Sequence, residues 1–294
     1  MRSIGEIAIS PQCNGRPPIH LSHHDFPCGL QSVKYLNAIN DIKDGLRSRE
    51  LWLALGMQDI RQRYRRSMLG PFWLTISMAV MIGAMGPLYG ALFKYDPASF
   101  IPHLALGLIL WGFMAGQIAD FGEAFSNSVN YLRQMKLPLS MFVFRVMWRH
   151  TIILAHNMIV YVIVWAVLPV HLNSSLLLLP VAFVVVLLNL FWMGIFVSIF
   201  CTRYRDMHPV IGNLVQVLFF VTPIIWKIEQ LSPARQHLIH LNPFFYLLEL
   251  MREPLLGRDP ALVVWAGAVG MAVVGLAVAL FMLGKLRHRV TYWL

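Results

Sequence analysis

Hydrophobic positions in this chain gather into long blocks, and polar positions fill the short stretches between them. Six blocks stand out: 71–93, 97–119, 151–170 with a start nearer 139, a helix within 172–202, 209–226 and 260–284. A helix needs roughly 20 apolar residues to cross the hydrocarbon core of a bilayer. Unpaired backbone groups cost several kcal/mol each in hydrocarbon, so a spanning segment has to be helical. The pattern predicts an all-α membrane protein with six transmembrane helices.

The stretch just before the first block reads differently. Over 46–68 apolar residues recur at Leu53, Met57, Ile60, Tyr64 and Met68, at intervals of four, three, four and four. Arg47, Arg49, Arg61, Arg63, Arg65 and Arg66 occupy much of the rest. This predicts a basic amphipathic helix at a leaflet boundary, ended by Gly70-Pro71. On an ideal helix Arg61 and Arg65 share one face, and Arg63 and Arg66 another. The run is explained by a plain topology anchor, and equally by contact with an anionic headgroup or a partner subunit.

Two interspan stretches are more than loops. SNSVNYLRQMKLP, at 126–138, is short and polar, predicts a small helix, and suits the docking of a soluble partner. HLIHLNPFFYLLELMREPLLG, within 227–259, is too apolar for a free loop and too short to span twice. Its Asn242-Pro243 break predicts two short helices re-entering or lying in the outer leaflet. Charges at membrane depth are few. Asp120 and Glu123, one turn apart, could relay a proton, but pairing with Arg145 or Arg149 or a solvated helix end explains them better. Arg203, Arg205 and Asp206 form a tight loop.

Composition agrees with a bilayer as solvent. Of 294 residues 57% are hydrophobic and 13% charged, with a mean hydropathy of +0.61; soluble domains carry about a quarter charged residues. The net charge of +10 sits beside apolar runs, which points to lipid headgroups rather than nucleic acid. Segments 1–70, 126–149, 201–208 and the tail after Gly284 hold 19 of the 24 Lys and Arg, and the opposite side holds 5. That bias predicts both termini in the cytoplasm. The first 40 residues show no apolar core of a cleavable signal. Cys13, Cys28 and Cys201 are too few and too scattered for a disulfide framework. His20, His23, His24 and Cys28 could hold a metal, though a flexible tail is the ordinary reading, and no metal or cofactor is expected. No phosphate-cradling glycine loop or catalytic signature is present. Small-residue faces at Gly83, Gly86 and Gly90 and at Gly267, Gly270 and Gly275 suit close helix packing, within one subunit or between two. Aromatic residues Phe72, Trp73, Tyr89, Phe93, Trp111, Phe113, Phe121 and Phe125 cluster along the first two spans. Those at the ends fit interfacial belts; mid-span Trp111 and Phe113 fit core packing or stacking on sugar rings.

DIRQRYRRSMLGPFW before a charge-free span, SNSVNYLRQMKLP, CTRYRDMHPV and LNPFFYLLELMREPLLG together resemble the ABC-2 type permeases of polysaccharide exporters, over residues 45–290. The resemblance implies a homodimer of six-span subunits in the bacterial inner membrane, with two ATP-binding cassette subunits carrying ATP and Mg. It implies export of an undecaprenyl-linked glycan of O-antigen, capsule or teichoic-acid type, through a channel lined chiefly by spans one and five. It places Arg61, Arg63, Arg65 and Arg66 near the lipid pyrophosphate, with Phe72, Trp73, Tyr89, Trp111 and Phe113 as candidate sugar contacts. Asn130, Tyr131 and Arg133 fall on a coupling helix, and Asn242, Pro243 and Phe244 at an outer gate. The chain then divides into an N-terminal extension (1–44), an interface helix (45–69), the six-span domain (70–284) and a cytoplasmic tail (285–294). Export of drugs or lipids is the nearest alternative. A lipid-sugar enzyme using Asp120, Glu123 or Asp206 would need more acidic or His groups at one depth. An ion-coupled transporter would need polar residues within broken spans.

Overall fold

The computed structural model describes residues 28–294 apart from 66, 71, 172, 231, 233–235 and 237. Among the described residues all regular structure is helical. In chain order the α-helices are α1 (Cys28–Arg47), α2 (Arg49–Arg63), α3 (Phe72–Phe93), α4 (Pro97–Phe121), α5 (Val129–Gln134), α6 (Leu139–Val167), α7 (Leu179–Arg203), α8 (Met207–Val221), α9 (Pro243–Leu255) and α10 (Leu262–Trp293). Five are long and apolar enough to cross a membrane: α3, α4, α6, α7 with the 3-10 turn before it, and α10. The fifth apolar block of the sequence folds as the 15-residue α8. At 1.5 Å per residue that is about 22 Å, short of a ~30 Å hydrocarbon core.

Helix α4 is the centre of the bundle. In its apolar stretch 72% of residues are buried, against 17% in α3, and it packs on α3, α6, α7, α8 and α9. Its start is set locally: the Asp96 carboxylate accepts from Ser99 N at 3.1 Å, and Pro97 occupies the first turn, where its missing N–H is not needed. Gly86 and Gly90 of α3 lie against Ile101 and Phe100 of α4. A methyl on Gly275 of α10 would overlap the Trp192 ring of α7, and one on Gly267 would overlap Tyr246 of α9. These four glycines serve packing within one subunit, while Gly83 and Gly270 face open space.

Both ends of the described chain lie at one end of the bundle, here the basal end: Arg287 of α10 bonds Asn37 O, and Arg133 bonds Leu294 O. Helix α1 lies partly within the expected extension, yet it is docked. Ala38 and Asp41 are fully buried. Pro138, at the N-cap position of α6, offers no side-chain cap. The Asp41 carboxylate replaces it, accepting from Leu139 N at 3.2 Å and Ser140 N at 3.0 Å, where a negative charge also complements the helix dipole. The N-terminal extension expected over 1–44 thus includes part of a helix that packs on α6 and α10. His20, His23 and His24 lie outside the described residues.

The helix expected over 46–68 breaks at Ser48, and α2 stops at Arg63 with Tyr64 as its C-cap. Beyond Met68, Gly70 takes φ +55, a left-handed turn that glycine adopts freely, so the break before α3 falls where the sequence places it. The shared face expected of Arg61 with Arg65 does not form, because Arg65 lies past the end of α2; the face expected of Arg63 with Arg66 involves Arg66, which lies outside the described residues. The buried stripe is also shifted. Leu55, Gly56 and Ile60 are buried while Met57 is exposed, because Gly56 seats α2 on Trp148 and Arg145 of α6.

Candidate functional site

Two polar networks close the ends of the apolar core. The basal one joins α2, α4 and α6. Asp59 accepts from Arg145 Nε at 2.9 Å and from Arg149 Nη1 at 3.0 Å. Arg149 also donates to Asp120 Oδ2 at 2.7 Å, and His150 Nε2 lies 2.7 Å from the same oxygen. Gly116 lets His150 approach α4. Asp120 is thus paired with Arg149, as its ordinary reading anticipates, whereas Glu123 pairs with His208 at 3.3 Å. Asp59 was not evident from sequence, although its position one turn before Arg63 on a basic helix is the signal that could have marked it.

Arg61 and Arg63 project from the last turn of α2 and are exposed, as is Arg65; Arg63 is close enough to Asp120 and His150 to act on both electrostatically. Phe72 and Trp73 are exposed at the start of α3 and Tyr89 is half-buried. Trp111 and Phe113 lie within the subunit's own core: Trp111 meets Phe219 and Phe244, and Phe113 meets Phe183. The 126–138 stretch folds as a 3-10 turn and the exposed six-residue α5, with Asn130, Tyr131 and Arg133 all at the surface.

The distal network holds a broken helix. After Val221 the chain leaves α8: Thr222, its C-cap, still donates its N–H to Leu218 O at 2.9 Å, Pro223 and Ile224 continue outside the helix, and all three residues are buried. Non-helical backbone at membrane depth has to be satisfied by protein or cavity water. Here the partners come from α9 and the residue before it. Asn242 Nδ2 donates to Thr222 Oγ1 at 2.8 Å while its Oδ1 caps Phe244 N at 3.0 Å. Arg252 Nη1 donates to Pro223 O at 2.7 Å and to His103 Nε2 at 3.2 Å. Arg252 also pairs with Glu249 one turn earlier, and Gly107 of α4 leaves room for Ile224 O at 3.0 Å from where a methyl would sit. Trp111 packs on Phe244 at 5.5 Å, so the structure brings together three residues, Trp111, Asn242 and Phe244, that the sequence assigned to two roles.

Helix α9 is buried almost throughout; it is packed into the bundle rather than laid on its surface. Upstream of Asn242, residues 236, 238 and 239 are helical and 240 and 241 form a turn, while 231, 233–235 and 237 lie outside the described residues. Beside α9 opens a cavity of about 620 Å³ lined by Tyr95, His103, Lys227, Glu249, Arg252 and Glu253 among others. Burial, then the charge of Glu249 beside it, pushes the Glu253 carboxyl up to about 7, although Arg258 and Arg252 pull it down. Glu253 therefore binds its proton more tightly folded than unfolded, and stability falls as pH rises from about 4.5 to about 7. Melting of the detergent-solubilised protein at pH 5 and pH 8 is expected to show a lower midpoint at pH 8. Glu253→Gln should shrink that difference; an unchanged difference would assign the pH dependence elsewhere. Glu249, Arg252 and Glu253 carry no sequence signal of this role, because Arg252 reads there as one more loop charge.

Comparison with known proteins agrees with this architecture. Residues 50–256 match the family model of the ABC-2 type transporter. The chain is also similar to the O-antigen export system permease protein RfbA of Myxococcus xanthus, 19% identical over 202 residues, covering 68% of this chain and 78% of that protein. The family match spans the basal network, every apolar helix from α3 to α8, and the distal network through Leu256, so the chain belongs to the ABC-2 type transporter family as a membrane-embedded permease.

Proposed function

We propose that the chain is the channel-forming subunit of an ATP-driven exporter that moves a lipid-linked polysaccharide across the bacterial cytoplasmic membrane. It works as a homodimer with two ATP-binding cassette subunits, which carry the ATP and Mg. The observation that supports this best is α8. It is as apolar as a span, it has no buried residue, and it ends in a protein-held break. With the segment behind it, α8 serves as the fifth of six spans, and its uncovered side, with that of α3, meets the second copy around a pathway. The likeness to an O-antigen permease supports a glycan as the cargo.

In this reading the basal end faces the cytoplasm, in keeping with its excess of Lys and Arg. Arg61, Arg63, Arg65 and Arg66 receive the lipid pyrophosphate, which guanidinium groups hold through paired hydrogen bonds. Asn130, Tyr131 and Arg133 on α5 dock the ATP-binding partner, and Asn242, Pro243 and Phe244 hold the outer gate. The test is surface glycan in cells carrying Arg61→Lys, Arg63→Lys or Arg65→Lys, alongside membrane insertion and partner co-purification. Loss of surface glycan at normal insertion is the expected result. Full glycan export from the Arg61→Gln, Arg63→Gln double variant would reduce the run to a topology anchor. Normal surface glycan in cells lacking the chain would remove polysaccharide as the cargo.

A further inference from the structure

The last turns of α1 bury one face. Ala38, Asp41 and Gly45, at intervals of three and four, are buried, while Ile39, Asn40, Lys43 and Asp44 are exposed. A carboxylate at the centre of a buried stripe is costly unless its charge is met. The Asp41 carboxylate meets donors from two other helices. It accepts from Leu139 N and Ser140 N at the start of α6, and it pairs with Arg287 Nε of α10 at 3.2 Å. The Ser140 hydroxyl in turn donates to Asp41 O at 2.8 Å. Gly45 permits this approach, because a methyl there would overlap Ser140 Oγ.

The same two helices border α5. Its C-terminal end leads through the non-helical residues 135–138 directly into α6. Its Arg133 donates to Leu294 O, just past α10, at 2.9 Å. Helix α5 is thus attached to α6 and to α10, and Asp41 holds the basal ends of both. Without Asp41 the first N–H groups of α6 have no side-chain acceptor, and a helix end left so frays first. A push on α5 would then be spent in unwinding that turn. A helix that only has to lie against the bundle has no need of a charge at its most buried position.

We infer that Asp41 is a positioning residue for transport: it ties the basal ends of α6 and α10 together so that both follow α5, and movement imposed on α5 by the ATP-binding partner reaches the bundle instead of being lost in the 135–138 linker. This rests on the export reading above and gives the extension before α2 a part in it.

The test uses the complex of the full chain with its ATP-binding partner. ATP hydrolysis is measured on the purified complex in lipid nanodiscs, and surface glycan on cells carrying the same variant, each per amount of complex. In Asp41→Ala hydrolysis is expected to persist while surface glycan falls at least about fivefold, the low end of ordinary coupling between sites. Asp41→Asn, which keeps one acceptor oxygen, should recover part of the loss. Proportionate loss of hydrolysis and glycan, as a merely structural role predicts, overturns the assignment, and so does full surface glycan. Where Asp41→Ala fails to insert, Arg287→Gln decides, since it cuts only the tie to α10 at a side chain 34% exposed. It should lower surface glycan while hydrolysis persists, and proportionate loss or no change overturns the tie. Spin labels on Gln134→Cys of α5 and His288→Cys of α10, in a Cys13→Ala, Cys28→Ala, Cys201→Ala background, read the geometry directly. Their distance distribution is expected to be narrow with Asp41 and broad in Asp41→Ala; equal widths overturn the inference. Failure of the parent reading is separate, because it appears as absence of surface glycan or of a co-purifying ATPase with the unaltered chain, whatever the spin labels show.

Discussion

Arg252→Ala is expected to destabilise the protein by about 3–5 kcal/mol, the usual cost of leaving one member of a buried ion pair without its partner. The guanidinium is 2% exposed and the Glu249 carboxylate 7%, so solvent cannot replace it. The loss is larger than one pair. Pro223 O and His103 Nε2 lose their donor in the same step, and the buried segment after α8 loses one of its two holds from the α9 region. The other hold, Asn242 on Thr222, cannot reach Pro223. Melting of the purified protein in detergent measures the effect, and a midpoint equal to that of the unaltered chain would sink it. Arg252→Lys should recover little, because a single ammonium cannot reproduce a fork aimed at carboxylate, carbonyl and imidazole together. Glu249→Leu with Arg252→Leu should recover part of the loss, since removing both charges abolishes the unpaired carboxylate while the carbonyl stays unsatisfied. Export should fail in Arg252→Ala even where the protein inserts, because the end of α8 is no longer held.

The long spans were legible because a block of about 20 residues without charge has one explanation in a chain this apolar. The early end of α8 was not legible. Thr222, Pro223, Ile224, Ile225 and Trp226 are as apolar as the helix before them, and the break is stabilised by Asn242 and Arg252, 20 and 29 residues away in the chain from their partners. The Asn242-Pro243 break was readable, since an Asn cap followed by Pro is a local signal. The distal ion pair was hidden for a different reason: an arginine between two predicted spans counts as a topology charge until burial is known. Helix α2 is legible in the sequence, but its buried stripe is not. Periodicity selects the most apolar face, whereas the packed face is chosen by Gly56 on Trp148 and by the Asp59 pairs. Asp41 capping α6 across 98 residues has no sequence signature at all. Trp111 and Phe113 illustrate the converse. Aromatic side chains were conspicuous in sequence, but only packing could separate a core ring from an exposed one.

Asp59→Ala is expected to release α2 from the bundle. Its carboxylate, 13% exposed, joins Arg145 and Arg149, themselves 18% and 15% exposed. Removing a hydrogen-bonded charge of this kind costs about 2–3 kcal/mol, and Arg145 keeps no other carboxylate partner among the described residues. Arg149 retains Asp120, so α4 and α6 stay joined while α2 loses its polar hold. The variant also separates two roles of the basic segment. Removing an acidic group leaves the Lys and Arg bias unchanged, so topology is preserved by the positive-inside rule, and an anchor-only segment would tolerate the change. A segment that has to be docked would not. Ile60→Cys reports the difference, because Ile60 is 5% exposed and its thiol should become reactive only when α2 lifts. Asp59→Asn should release α2 less than alanine, since its amide oxygen still accepts one hydrogen bond. Unchanged protection of Ile60→Cys in the Asp59→Ala background, at normal insertion, would mean that Leu55, Gly56 and Ile60 hold α2 by packing alone and that the carboxylate bridge is not what couples it to α6.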